Sequence, residues 1–367
     1  MKVLTIGLDK NALNFDSPTG KRLFEYAGLV EKLDIIVLGS AGENKHDKNL
    51  SVFTTSKNKI KSLLRAYKLG KDILGSGSGE YLISTQDPFF TGLIGYLLKI
   101  KLKKPIQMQI HIDLFGPYFK NESLLNWISV FIAKKILPKA DGIRVVSEKI
   151  KDDLVSFGIS ENKIFVLPVF TDVEKIINYP VKTNLHQKYP QFNFLMLIAS
   201  RLVKQKNIDL AILSTKEIVS RYPKTGLLIV GSGPEEKKFK KMSQNNPSII
   251  FESWSDDLVS YFKTSDILLL PSFYEGFVRT AVEAMAAGCP VLMSNMILSG
   301  DIFSAGYTCL SFNTNSQIEF IEKIIYAIEN KESMEEIKKH ALDSVKALPT
   351  KEEYLSNYLK SWQNCFS

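Results

Sequence analysis

Apolar residues along this chain switch between two spacings. Compact runs such as Leu33–Leu38 and Ile267–Leu270 have the length of buried strands, and between them lie stretches of helical spacing. In the first half this predicts strands over 3–8, 33–38, 50–54, 81–85, 106–112, 142–146 and 164–167. Helices are expected over 21–31, 57–74, 89–102, 123–137 and 149–157. Leu23, Phe24, Ala27 and Val30 mark the first helix, and Trp127, Phe131 and Ile136 the fourth. A polar stretch with Pro180 and Pro190 shows no period and reads as a linker over 171–192. The pattern then restarts. Strands are expected at 194–199, 226–230, 249–252, 267–270, 290–294 and 308–312, with helices between them and at 315–330, 332–347 and 351–365.

A β-strand and α-helix alternating this way predicts parallel sheets covered on both faces. The expected organisation is two doubly wound α/β domains, 1–170 and 193–347, followed by a terminal helical segment, 348–367, packing back on the first. Ligands of such sheets bind at the carboxyl ends of the strands, and two such edges would face each other across an interdomain cleft.

Candidate chemistry gathers at those ends. Arg201 and Lys206 follow the strand 194–199, and Gly231-Ser232-Gly233 follows 226–230. After 267–270 comes PSFYEGFVRTAVEAMAAGCP (271–290). A helix opening at or just before Thr280 presents unpaired N–H groups and a positive dipole end to an anion. Glu275 lies on the loop before it, free to face a ligand. Glu283 lies too far along to bind phosphate and suits hydroxyl groups. Two glycine-rich stretches carry no such promise. GSGSGE (75–80) precedes a strand and reads as a connector, and TGK (19–21) lacks the upstream glycine of a phosphate loop.

Composition narrows the classes. The chain has 367 residues, 45% of them hydrophobic, enough for two cores. The opening MKVLTIGLD reads as a strand and not a signal peptide, and no run of 18 apolar residues appears. Cys289, Cys309 and Cys365 show no paired spacing, which points to free thiols in a cytoplasm. The four histidines lack metal-ligand spacing. The net charge is +8, and residues 1–170 hold all of it, with 25 Lys and Arg against 17 Asp and Glu. Residues 57–104 alone carry 10 against 3. Such a basic stretch is either a solvated face or a docking surface for anionic lipid, which would place the protein at the inner face of a membrane. No nucleic-acid motif accompanies it.

The stretch 271–290 resembles the E-G-F-x-x-x-x-x-E-A-M-A-x-G signature of retaining, family-4-like glycosyltransferases of the GT-B fold. Glu275, Gly276, Phe277, Glu283, Ala284, Met285, Ala286 and Gly288 match. ASRLVKQKNID (199–209) is similar to that family's G-R-L-x-x-x-K-G-x-D, with Ser200 and Asn207 where glycine is common. The resemblance implies a nucleotide-sugar donor, UDP- or GDP-linked, a glycan or lipid-linked acceptor, and no metal or cofactor. It implies that Arg201, Lys206 and the amides of Phe277–Thr280 hold the donor diphosphate. Glu283 would hold the ribose, and Glu275 and His111 the donor sugar. Gly20, Gly231 and Gly233 would let backbone approach the donor. Trp254 would stack on the base or else sit half-buried in the core. Val278 and Arg279 stand where the family often has Gly and Leu, so Arg279 either adds a cation or points to solvent. Asp87 and Asp113 are candidates for acceptor hydroxyls. A sugar-nucleotide epimerase or phosphorylase on the same fold, or a non-catalytic binding module, remains the alternative.

Overall fold

The computed structural model describes residues 1–76, 79–244, 246–300 and 302–366. The chain divides into two compact units, 1–168 with 351–367, and 169–350.

The first unit holds β1 (Lys2–Gly7), α1 (Pro18–Ala27), β2 (Lys32–Val37), β3 (Lys45–Asp47), β4 (Leu50–Thr54), α2 (Lys59–Ser76), β5 (Tyr81–Thr85), α3 (Phe90–Leu102), β6 (Ile106–Ile110), α4 (Leu124–Ile136), β7 (Gly142–Val145), α5 (Glu148–Ser156) and β8 (Ile164–Val166). Its sheet runs β3-β4-β2-β1-β5-β6-β7-β8. Every pairing is parallel except that of β3, which adds an antiparallel edge from residues lying between the strands expected at 33–38 and 50–54. The helix expected over 21–31 starts earlier. Ser17 accepts the Gly20 amide and Pro18 takes the first turn, a combination that opens helices. The connector expected at 75–80 is reached by α2 through Ser76, and Gly77 and Ser78 lie outside the described residues.

The second unit holds α6 (Val173–Ile177), α7 (Leu185–Lys188), β9 (Phe194–Ala199), α8 (Ile208–Arg221), β10 (Thr225–Val230), α9 (Glu236–Met242), β11 (Ile249–Glu252), α10 (Leu258–Thr264), β12 (Ile267–Leu270), α11 (Arg279–Ala286), β13 (Val291–Ser294), β14 (Leu310–Phe312), α12 (Gln317–Glu329) and α13 (Lys331–Lys346). Its sheet is parallel, in the order β11-β10-β9-β12-β13-β14. Period two explains how it is covered. Leu195 and Leu197 of β9 join one core cluster, and Met196 and Ile198 the other. The stretch read as a linker belongs to this unit. It is bonded to α10 and the loop before it: the Lys182 backbone amide donates to Ser260, the Thr183 hydroxyl to Asp257, and the Leu185 backbone amide to Thr264.

The last helix, α14 (Lys351–Gln363), is part of the first unit. Tyr358 stacks on Tyr26 at 4.3 Å, and Trp362 is fully buried. Among the described residues no helix is long and apolar enough to cross a membrane.

Each sheet reverses its winding direction once, between β1 and β5 and between β9 and β12. The strand ends beside these reversals are where open α/β sheets take ligands.

Candidate active site

In the second unit the reversal brings together the two stretches singled out in the sequence. β9 leads into a short turn at Lys204–Lys206, and β12 leads into 271–278. Gln205 ties them: its carbonyl accepts the Phe273 amide at 2.9 Å, and its side chain donates to the Tyr274 carbonyl at 2.7 Å. This holds Glu275 against Lys206, with which it forms an ion pair shielded from most solvent. Gln205 was not anticipated as a site residue. Its carboxamide lies 3.5 Å from the second Glu275 oxygen.

Asn207, where glycine is common in the resembling motif, sits at φ 50°. That left-handed region favours glycine and tolerates asparagine better than most residues. The turn therefore survives the replacement and keeps Lys206 in place.

α11 begins at Arg279, and no side chain caps its first turn. The Arg279 and Ala281 amides donate to the Phe277 and Val278 carbonyls, and the Thr280 amide between them is left open to an anion. Phe277 packs 6.4 Å from Phe303 and Val278 is buried in the core, so this segment can offer a ligand its backbone but not the Val278 side chain. Gly276 and Thr280 are half-buried beside them. Arg279 is exposed, and its guanidinium pairs with Glu283 at 2.9 Å, one helical turn on. Burial raises the Glu283 pKa, and Arg279 opposes the shift. Arg201 stays exposed at the end of β9.

Gly231 and Gly233 are required by protein packing. A Cβ on Gly231 would lie 2.0 Å from the Ser200 carbonyl oxygen, and one on Gly233 would lie 2.3 Å from that of Leu202. They seat the β10 loop on the β9 loop. Trp254 is 56% exposed just beyond β11, which excludes the half-buried core position.

The first unit presents a different set. His111 follows β6, and its Nε2 lies 3.1 Å from Gln109 Oε1. Arg144, from β7, donates to the same oxygen at 3.0 Å. Arginine can only donate, so the Gln109 amide orientation is settled: its nitrogen faces Ser84 and Tyr358, both able to accept. His111 must then donate from Nε2, leaving Nδ1 as an acceptor. Crowding by the protein, then the Arg144 and Arg22 guanidiniums, lower the His111 pKa. The residue is exposed by its accessible surface, which tempers the desolvation, but both guanidiniums act in the same direction. The imidazole is neutral at neutral pH.

Arg144 is 3% exposed and has no carboxylate partner among the described residues. Gln109, the Leu167 carbonyl, Tyr354 and the Tyr358 ring face accommodate its charge. The sequence reading passed over both Arg144 and Gln109.

Three expected site residues have structural occupations here. The Gly20 amide is committed to Ser17, and a Cβ on Gly20 would lie 2.3 Å from the Asn14 carbonyl oxygen, so this glycine serves a turn and offers no amide to a diphosphate. Asp113 is buried between Lys149 at 2.5 Å and the Gly116 amide at 2.8 Å, leaving it no freedom for an acceptor hydroxyl. Asp87 accepts the Phe89 amide at 2.7 Å, and burial raises its pKa. Its second oxygen has no protein partner among the described residues.

Comparison with known proteins places these edges in context. Residues 182–343 match the family described as Glycosyl transferases group 1, and residues 43–175 match Glycosyltransferase Family 4. An uncharacterized glycosyltransferase of Methanocaldococcus jannaschii is 29% identical over 281 residues, 74% of this chain and 72% of the relative. The capsular polysaccharide biosynthesis glycosyltransferase CapM of Staphylococcus aureus is 25% identical over 300 residues, 79% of this chain and 75% of the relative. Among solved structures, Anabaena HepE in complex with UDP and glucose superposes with a TM-score of 0.74 at 17% identity, covering 99% of each chain.

Proposed function

Because this chain belongs to the group 1 glycosyltransferases and has their GT-B fold, we propose that it is a retaining enzyme using a nucleotide diphosphate sugar. The observation that carries this reading is the Lys206–Glu275 pair at the β9/β12 reversal, beside the uncapped α11. It brings a cation from one stretch of chain beside a carboxylate from another, on the segment that leads to the open Thr280 amide.

Each group has a task. Lys206, Arg201 and the Thr280 amide at the start of α11 neutralise the leaving diphosphate. They would do so without a metal ion. Glu275 holds donor-sugar hydroxyls, Glu283 the ribose, and Trp254 the base. Donor binding exchanges partners: the diphosphate takes Lys206, and the sugar takes Glu275. His111, neutral, accepts a hydroxyl hydrogen bond through Nδ1. In the transfer, the bond from C1 of the sugar to the phosphate oxygen breaks. A bond from C1 to the acceptor oxygen forms on the same face. The acceptor proton passes to a diphosphate oxygen, and the nucleoside diphosphate leaves.

UDP is the favoured base partner, since UDP and glucose occupy the HepE relative in fold. The acceptor is a glycan or lipid-linked glycan in polysaccharide or glycolipid synthesis, in line with the capsular role named for CapM. Assay of nucleoside diphosphate release from a donor panel, with product analysis by NMR, tests this. Transfer that keeps the anomeric configuration is expected. Inversion, or no donor turned over at all, would reject it.

A further inference from the structure

We infer that the layer formed by α2, α3 and α4 is a docking surface for an anionic lipid bilayer, with α4 as the element that enters the headgroup region. The starting observation is that α4 is apolar on the side facing solvent. Leu124, Trp127, Ile128 and Phe131 recur at helical spacing, and all four are exposed, Leu124 at 76% and Phe131 at 53%. The inner side is made of Ser129, Val130, Ala133 and Ile136. A helix of a soluble domain normally has the opposite arrangement.

The patch does not stop at α4. α3 packs against both α2 and α4, and it exposes Leu97 and Ile100. α2 exposes Ile60 and Leu64. Nine of the nineteen large apolar side chains exposed among the described residues lie on these three helices, where singly scattered ones would need no explanation.

Charge identifies the occupant. The outward side of α2 and the residues before it carry Lys57, Lys61, Lys68 and Lys71, all exposed. Lys134 and Lys135 close the apolar side of α4. Lysine is depleted in protein interfaces but favoured next to anionic lipid. Tryptophan is enriched at the level of lipid headgroups. Apolar wedge and lysine rim together describe a helix lying in a membrane surface. This inference rests on the transferase reading only for its consequence, that the acceptor is delivered by the membrane.

Sedimentation of the full chain with phosphatidylcholine vesicles, with and without phosphatidylglycerol, tests it. Binding to the anionic vesicles is expected. Trp127→Ser with Phe131→Ser should weaken it about tenfold or more. Lys61→Glu with Lys68→Glu should weaken it about 25-fold or more, with salt acting in the same direction. Both variants should release nucleoside diphosphate from donor and a soluble acceptor at the wild-type rate. Binding that ignores phosphatidylglycerol and both substitutions would overturn the inference. So would absence of vesicle binding together with a dimer that Phe131→Ser dissolves, which would make this face an interface between copies. Vesicle binding without any donor turnover would leave the surface standing and reject the transferase reading.

Discussion

The two strand-end sites differ in how they handle charge. At the β9/β12 reversal the carboxylates and cations occur as pairs, Lys206 with Glu275 and Arg279 with Glu283, while Arg201 remains exposed. At the ends of β6 and β7 a buried guanidinium has no carboxylate partner among the described residues, and an amide, a backbone carbonyl, a phenol and an aromatic ring face accommodate it. An ionic edge suits an anionic leaving group, because its partners can be exchanged for phosphate. An edge of neutral groups arranged around one buried guanidinium suits hydroxyl groups, whose orientation it can impose. The first site is built to trade partners and the second to hold one tautomer.

The largest effect should come from breaking the ionic edge. Lys206→Ala and Glu275→Ala should each lower kcat by about 10²–10³-fold, the usual loss when a stabiliser of developing charge is removed. Steady-state release of nucleoside diphosphate checks this, and a loss below tenfold in both would remove the distinction between the edges.

The neutral edge is next. Gln109→Leu takes the acceptor from both Arg144 and His111. It should cost about 1–3 kcal/mol of stability, the penalty of an unsatisfied buried group, and lower kcat more than it changes KM. Urea unfolding and kinetics together read this. Unchanged stability with normal kinetics would mean that Gln109 locks nothing.

How much of this was legible in the sequence follows from the same contrast. The ionic edge is written in two contiguous stretches, 199–209 and 271–290, so its residues could be named beforehand. The neutral edge joins Gln109 to Tyr358 across 249 positions and Arg144 to Tyr354 across 210. No local spacing encodes that. Gly20 was misjudged because a glycine needed for a tight turn looks the same in sequence as one needed for a ligand. The fourth helix was placed correctly, but which of its apolar residues are covered was not legible, since periodicity shows that a face exists and not what covers it. Strand order was expected only as parallel, and the antiparallel edge β3, formed by exposed residues, left no hydrophobic signal.

A smaller effect separates the edges by pH. His111 is held neutral in the folded chain, with a pKa lowered from its ordinary 6.5. The unfolded chain binds that proton first as pH falls, so stability should decline below about pH 6.5. Discounted for the exposure of His111, the decline at pH 5 is on the order of 1 kcal/mol. Urea midpoints of the wild type and His111→Asn at pH 7 and pH 5 check it. The variant should lose less between the two, and parallel losses would count against a neutral His111.

The smallest effect concerns the outer pair. Arg279→Ala should change stability by only about 0.3–0.5 kcal/mol, as for other helix pairs one turn apart. Thermal unfolding reads this, and a loss several times larger would mean that the pair holds α11 in place.

The central claim is that the ionic edge of the second unit takes the donor diphosphate. Titration calorimetry of UDP against the wild type, Lys206→Ala, and Lys206→Ala with Arg201→Ala tests it most directly. The account predicts binding that weakens by about tenfold or more with each cation removed. UDP bound equally well by all three proteins would contradict it.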